Sequence, residues 1–407
     1  HSTSRRQRQM CIRDRYKLMK IVFITNMMNH HQKPVADFLY QRLGDDYHFV
    51  TTMPIPKKFL EVGYKNNDDC PYILPYYKKE NKVLVNRLVI EADAVIMGGT
   101  HEEELINLRV KTGKLLLFYS ERWHKRRRSY LALPLRYLNG YVYHRFTRFN
   151  HLNTYMLCAS SFVPNDCKWA FAFKNKTYKW GYFPPFKEIA INEVMDKRQV
   201  KDCVDVLYVA RSLKLKHPEL AIKAIQNLYL QGYKVKLTMV GGVFDGDKNS
   251  KKVFEYCKNQ EKLTPDCITV LGAVENSKVR DLMLNSDIFV FTSDRNEGWG
   301  ASLNEAMSSG CACVVSNAIG SAHFLINNEV NGLLFKNKSR SSLQLQLKRL
   351  LDDNSLRQSI SVNAYYTILN EWRPEIAGQR LISLIHDLLC GKDTDYLTGP
   401  CSKAKPV

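Results

Sequence analysis

Short runs of Val, Ile, Leu and Phe alternate along this chain with longer stretches whose apolar residues recur every three or four positions. Buried parallel strands covered by helices on both faces produce this pattern. In the first half it predicts strands at KIVFIT (20–25), YHFVTTM (47–53), DAVIMGG (93–99), KLLLFYS (114–120) and TYMLCAS (154–160). The paired prolines of KWGYFPPF (179–186) break both helix and central strand, and the polar stretch 187–204 reads as a linker. A second series follows: DVLYVAR (205–211), KVKLTMVGG (234–242), CITVLGAV (267–274), IFVFTS (288–293) and CACVVS (311–316). Pro218 and Gly232 bracket a helix between the first two of these. Past 335 the text is helical to about 390, with breaks near Asp353 and Pro374, and then a polar tail (391–407). The fold class is α/β: two doubly wound, Rossmann-like domains at 20–186 and 205–370.

Composition adds limits. At 407 residues, two domains are the natural division, and 45% hydrophobic residues suffice for two cores. No apolar run reaches the ~20 residues that span a bilayer, and no signal-peptide stretch opens the chain, so a cytoplasmic location is expected. The 11 cysteines are scattered without a Cys-x-x-Cys pair and read as reduced thiols. Of the net charge of +20, the segment 1–19 and its neighbour Lys20 supply a large part, and 1–19 reads as a basic extension outside the fold. The rest is still basic enough to make nucleic acid, an anionic membrane surface and phosphorylated ligands candidate partners.

The chemistry concentrates in SDIFVFTSDRNEGWGASLNEAMSSGCACVVSNAIG (286–320). A buried strand ends at Ser293, and EGWG leads into a helix beginning near Ala301 and Ser302. Gly298 and Gly300, around Trp299, would let backbone amides approach a ligand, and free N–H groups at a helix start suit a phosphate. Glu297 and Glu305 flank this turn; a carboxylate accepts two hydroxyl hydrogen bonds, as a sugar or a ribose diol requires. VARSLKLKHPELAI (209–222) carries Arg211 and Lys216; an Arg can bind an anion bidentately and a Lys as a point charge.

These residues resemble the glycosyltransferase family 4 group of GT-B fold enzymes. The hallmark is Glu, seven residues, Glu, here Glu297 and Glu305. The resemblance implies that Glu297 contacts the donor sugar, Glu305 the nucleotide ribose, and Arg211 and Lys216 the diphosphate, although Ala210 stands where the family usually has Gly. Gly241 and Gly242, and Gly272, Ala273 and Val274, match the strand ends that line the base. It also implies that the two domains face a cleft, that 371–390 is a helix returning to the first domain, and that the donor is a nucleoside diphosphate sugar used with retention. The acceptor that the resemblance implies is a glycan or lipid-linked molecule, as in surface polysaccharide or lipopolysaccharide synthesis.

In the N-terminal half, where the acceptor is expected, the first strand is followed by Asn29, His30 and His31 in place of the glycines common in the family. They are candidates for phosphate or acceptor contacts, the alternative for one of the two histidines being a cap on the following helix. His101 and Glu121, after two further strands, are candidates to approach the reacting carbon; the alternative for Glu121 is a pairing with a neighbouring Arg. No acidic residue lies between Arg122 and Pro164, where basic and aromatic residues interleave, which suits peripheral attachment to an anionic membrane, with an ordinary solvated face as the alternative. No Asp-x-Asp metal motif appears in these loops, so no metal or other cofactor is expected. A nucleotide-sugar epimerase and a non-catalytic nucleotide-sugar or nucleic-acid binding protein remain the competing classes; no nucleic-acid-binding signature occurs, and none is expected as a partner.

Overall fold

The computed structural model describes residues 19–60, 65–100, 102–125, 131–243 and 247–407. The extension lies outside these residues except for Met19, which is buried. Two units form: His1–Trp123, Arg128–Pro185 and Pro374–Val407 make the first, His124–Arg127 and Phe186–Arg373 the second.

The first unit is built on a parallel sheet of seven strands: β1 (Ile21–Thr25), β2 (Tyr47–Thr51), β3 (Ile73–Pro75), β4 (Ala94–Gly98), β5 (Leu115–Ser120), β6 (Thr154–Cys158) and β7 (Thr177–Lys179). Their order is β3-β2-β1-β4-β5-β6-β7. Every residue of β1 and β4 is buried, as strands covered on both faces require. Phe23 sits level with Phe49 on one side and Ile96 on the other. The helix Pro374–Leu389 carries Ala377, Leu381, Leu384, Ile385 and Leu388 on one face, a three-to-four-residue repeat. It packs on the helix Lys33–Leu43. The two approach closely at Gly378, where a Cβ would lie 2.4 Å from Phe38 Cδ1.

The segment read as a polar tail is ordered on the edge of this sheet. Lys179 N donates to Ser402 O at 2.7 Å and Ala404 N to Thr177 O at 3.0 Å, while Cys401 and Ser402 are fully buried. An otherwise open strand edge is thereby covered.

The second unit has a parallel sheet of six: β8 (Val204–Val209), β9 (Val235–Val240), β10 (Ile268–Gly272), β11 (Ile288–Phe291), β12 (Ala312–Ser316) and β13 (Leu333–Phe335), in the order β10-β9-β8-β11-β12-β13. Residues 187–204, read as a linker, contain the helix Ile191–Gln199. Ile191 and Met195, four apart, bury against Tyr365. From the same helix Arg198 reaches inward and donates to the carbonyls of Gly310, Met283 (3.1 Å), Leu284 (2.9 Å) and Ser309 (3.1 Å). Those carbonyls lie at the C-terminal ends of the helices Asn276–Asn285 and Ser302–Ser308, where the last C=O groups have few intrahelical donors.

A buried arginine does similar work in the first unit. Arg109 donates to the carbonyls of Leu115 (2.7 Å), Val89 (3.0 Å), Ala92 (2.7 Å) and Asp93 (2.8 Å). Burial lowers its pKa to about 10. The described cysteines are free thiols, most of them buried, and no helix among the described residues is long and apolar enough to cross a membrane.

Candidate functional site

In an open parallel sheet, ligands bind beyond the carboxyl ends of the strands where the strand order reverses. In the second unit that point lies between β8 and β11. The loop after β8 carries Arg211 and Lys216, and the loop after β11 carries residues 292–301.

Hydrogen bonds lace these two loops together. Asp294 N donates to Leu215 O (2.9 Å), and Thr292 Oγ1 donates to Lys216 O (2.6 Å). At the tips, Lys216 Nζ pairs directly with the Glu297 carboxylate, both side chains being only slightly exposed. The lysine also lies 5.5 Å from the centre of the Phe291 ring. Arg211 follows β8 with its side chain exposed.

His217 fastens the base of this arrangement. Its backbone is left-handed (φ 47°), uncommon for a non-glycine residue, and it directly precedes the helix Pro218–Leu230. The ring contacts Glu219 through Nδ1 (2.7 Å) and Asp294 through Nε2 (3.2 Å), and Lys338 Nζ lies 3.0 Å from the same aspartate. Hydrogen bonds to Asp294 and then to Glu219 raise the His217 pKa to about 9, so the ring is charged at neutral pH. Hydrogen bonding to His217 is the leading influence holding Asp294 well below the usual carboxylate range, against the opposing effect of burial. Nothing in the sequence reading pointed to His217 or Asp294; a histidine just before a helix-opening proline was the available signal.

Glu305 stands in the first turn of the helix Ser302–Ser308. Burial pushes its carboxyl up to about 7, with the charge of Arg280 acting in the other direction. No hydrogen bond from a described residue reaches its carboxyl oxygens. A partly buried carboxyl with both oxygens unbonded is suited to accept from hydroxyl donors.

Packing fixes Trp299 and the glycines beside it. The Trp299 side chain is fully buried, donating from Nε1 to Asn304 Oδ1 (2.7 Å) and packing on Trp372 with ring centres 5.7 Å apart. It therefore belongs to the core beneath the loop, and its ring lines no ligand surface. Gly300 is required by packing: its φ is +84°, and a Cβ would lie 2.7 Å from the Phe291 ring and 3.1 Å from Ile319. Gly298 and Ala301 are buried beside it, and Ser302 is half-buried.

The strand ends called for the base are pressed together. A Cβ on Gly241 would lie 1.8 Å from Ala210 O, and one on Gly242 2.8 Å from the Ala273 Cβ. Ala210 N donates to Val240 O, and Gly241 N to Gly272 O at 2.8 Å. The β10–β9 register shifts between Val270 and Gly272, an irregularity that re-aims the chain at Ala273 and Val274.

In the first unit, Asn29 Oδ1 accepts from His31 N (3.0 Å) and Gln32 N (3.1 Å) and so fixes the turn that leads into the helix Lys33–Leu43. His31 stacks on Tyr182 with ring centres 5.5 Å apart, and His30 lies 3.6 Å from His31. Burial, followed by the charge of His30, holds His31 well below the usual imidazole range. Tyr182 donates to Glu121 Oε1 at 2.7 Å. The loops after β1 and β5 are thus joined through Tyr182, which the sequence reading did not single out. His101 lies outside the described residues.

Comparison with known proteins follows these lines. Residues 192–367 match the family described as glycosyl transferases group 1. The chain is 33% identical over 151 residues to the N,N'-diacetylbacillosaminyl-diphospho-undecaprenol alpha-1,3-N-acetylgalactosaminyltransferase of Campylobacter jejuni, covering 37% of each chain. It is 24% identical over 182 residues to the capsular polysaccharide biosynthesis glycosyltransferase CapM of Staphylococcus aureus, covering 45% of this chain and 46% of CapM. The matched regions thus span less than half of either relative. Among solved structures, Anabaena HepE in complex with UDP superposes with a TM-score of 0.66 at 15% identity, covering 90% of this chain and 100% of HepE. WaaG, a glycosyltransferase involved in lipopolysaccharide biosynthesis, superposes with a TM-score of 0.55 at 17% identity, covering 88% and 98%. The fold is GT-B, with two Rossmann-like domains.

Proposed function

We propose, on the premise that residues 192–367 carry a glycosyl transferases group 1 domain, that this chain moves a sugar from a nucleoside diphosphate sugar to an acceptor with retention at the anomeric carbon. The observation that carries the reading is the Lys216–Glu297 pair at the sheet's switch point, with Glu305, a carboxyl with no hydrogen bond from a described residue, in the helix that follows the same loop. Glu305 accepts from the ribose diol and Glu297 from hydroxyls of the transferred sugar. Arg211 and Lys216 stabilise the charge that builds on the departing diphosphate. With two cations in that role, the reaction proceeds without a divalent metal. The acceptor is lipid-linked, which matches the diphospho-undecaprenol in the name of the Campylobacter enzyme, and the chain works at an anionic membrane surface.

A thermal-shift screen against UDP-, GDP-, ADP- and CMP-sugars tests this, because a ligand that binds only the folded state raises the midpoint by mass action. UDP-glucose is the first to try. Stabilisation by one sugar nucleotide, unchanged by EDTA and lost in Glu305→Ala and Arg211→Ala, is the expected result. No stabilisation by any of them would refute the donor site, and dependence on added Mg²⁺ would refute the metal-free mechanism. Release of free sugar without acceptor would assign an epimerase-like reaction instead.

A further inference from the structure

The first unit presents apolar side chains to solvent from a stretch of chain that carries almost no acidic residue. We propose that the helix Leu133–Leu138 and the neighbouring loop at Trp169–Phe171 form one face that inserts into an anionic phospholipid bilayer. It deepens the membrane reading above by naming the surface.

The helix is turned the opposite way to an ordinary surface helix. Leu133 is buried, while Leu131, Leu135 and Leu138 are exposed, Leu138 by 84%. The spacing of three puts Leu135 and Leu138 on one face of the helix, directed outward, and Leu131 is exposed just ahead of it. Tyr137 joins this helix to the loop: its hydroxyl donates to Trp169 O at 3.1 Å and its ring centre lies 6.2 Å from that of Phe171.

The loop is fixed in an unfavourable shape that projects aromatic side chains. Phe171, Phe173 and Asn175 all have positive φ (51°, 51° and 59°), a conformation non-glycine residues seldom adopt. Asn150 holds it, donating from Nδ2 to Phe171 O (2.6 Å) and accepting from Phe173 N (2.9 Å) at Oδ1. Phe173 is buried, whereas Phe171 is 76% exposed and Trp169 is exposed beside it. Strain retained to hold a large aromatic residue in water points to a partner that covers it.

Charge identifies the partner. Between Arg122 and Lys187 the only acid is Asp166, which is fully buried and accepts from Trp123 N at 2.6 Å. Arg136, Arg145, Lys168 and Lys174 accompany the apolar residues in sequence; Arg148 is paired with Glu103 at 2.8 Å and is not counted with them. Cations beside outward Leu, Trp and Phe match a lipid headgroup layer over its acyl boundary, where such side chains bury ~5–10 Å deep. A nucleic acid would use the cations and leave the exposed leucines in water.

Flotation of the full chain with phosphatidylglycerol–phosphatidylcholine vesicles at low salt, without sugar nucleotide, tests the proposal. The wild-type chain is expected to float with the mixed vesicles and much less with phosphatidylcholine alone. A Leu135→Ser, Leu138→Ser, Phe171→Ser variant should lose roughly ten-fold or more in binding, with its melting midpoint and any donor-induced shift unchanged. Failure of the wild type to float, or equal flotation of the variant, would overturn the inference. So would tight binding to duplex DNA that the variant retains, accompanied by no binding to vesicles. The donor shift is read separately, so loss of the membrane face and loss of the donor site are distinguishable.

Discussion

Replacing Glu305 by Gln should stabilise the protein while damaging its donor site. In the unfolded chain this carboxyl titrates near 4.5; in the fold, burial moves it to about 7. Below pH 4.5 both states hold the proton and the group contributes nothing. Between 4.5 and 7 the folded state keeps a proton that the unfolded state has released, so stability falls as pH rises; above about 7 the whole penalty is present. The gap corresponds to about 3 kcal/mol. Glutamine keeps the shape and cannot ionise, so Glu305→Gln should match the wild type near pH 4.5 and exceed it by about 3 kcal/mol at pH 8. For a unit of this size that is roughly 6–12 °C in melting midpoint. Denaturant unfolding of both proteins at the two pH values measures it.

The sugar nucleotide should behave in the opposite sense. Hydroxyl donors favour the ionised carboxylate, so wild-type donor affinity should fall as pH drops below 7. The variant, without that charge, should bind roughly ten-fold or more weakly at pH 8 and show a flat pH dependence from this position. A variant no more stable than the wild type at pH 8 would show that Glu305 carries no burial penalty and would remove the premise.

Two further outcomes follow from residues outside the ligand contacts. Arg109→Met should cost on the order of 3–5 kcal/mol by leaving the carbonyls of Val89, Ala92, Asp93 and Leu115 without their donor, and a loss under about 1 kcal/mol by denaturant unfolding would refute the capping role. His217 has a folded pKa raised from 6.5 to about 9, so its stabilisation is fully present below pH 6.5 and disappears as pH rises through about 9. The midpoint difference between wild type and His217→Gln should therefore narrow between pH 6.5 and 9.5, and a constant difference would assign His217 a purely steric role.

How far the sequence revealed this molecule depended on the length of each signal. The strands β1, β4, β5 and β11 are continuous apolar runs and stood out. β3, β7 and β13 are only three residues long, too short for a period, and the first of them ends in Pro75 at a sheet edge. The helix Ile191–Gln199 was hidden because its mean character is polar; its inward residues are Ile191, Met195 and an arginine whose partners are carbonyls from distant positions. Glu297, Glu305, Arg211 and Lys216 were singled out through the family resemblance, and the fold brings Lys216 against Glu297. Their neighbour Trp299 looked like part of the same loop chemistry, yet only three dimensions show its indole bonded to Asn304 inside the core. The Tyr182 bridge between His31 and Glu121 joins residues far apart in the chain, which local pattern cannot reveal.

The return of Pro374–Val407 to the first unit sets an order of events during synthesis. The second unit, Phe186–Arg373, is translated as one nearly continuous block, apart from the short His124–Arg127 piece. The first unit is interrupted: its helix Lys33–Leu43 gains its covering helix, and β7 its edge partner, only after that block has left the ribosome. The half made first is therefore completed last, and until then it exposes an apolar helix face and an open strand edge. During that interval the N-terminal half is the aggregation-prone part of the nascent chain, because exposed apolar surface and unpaired strand edges favour association.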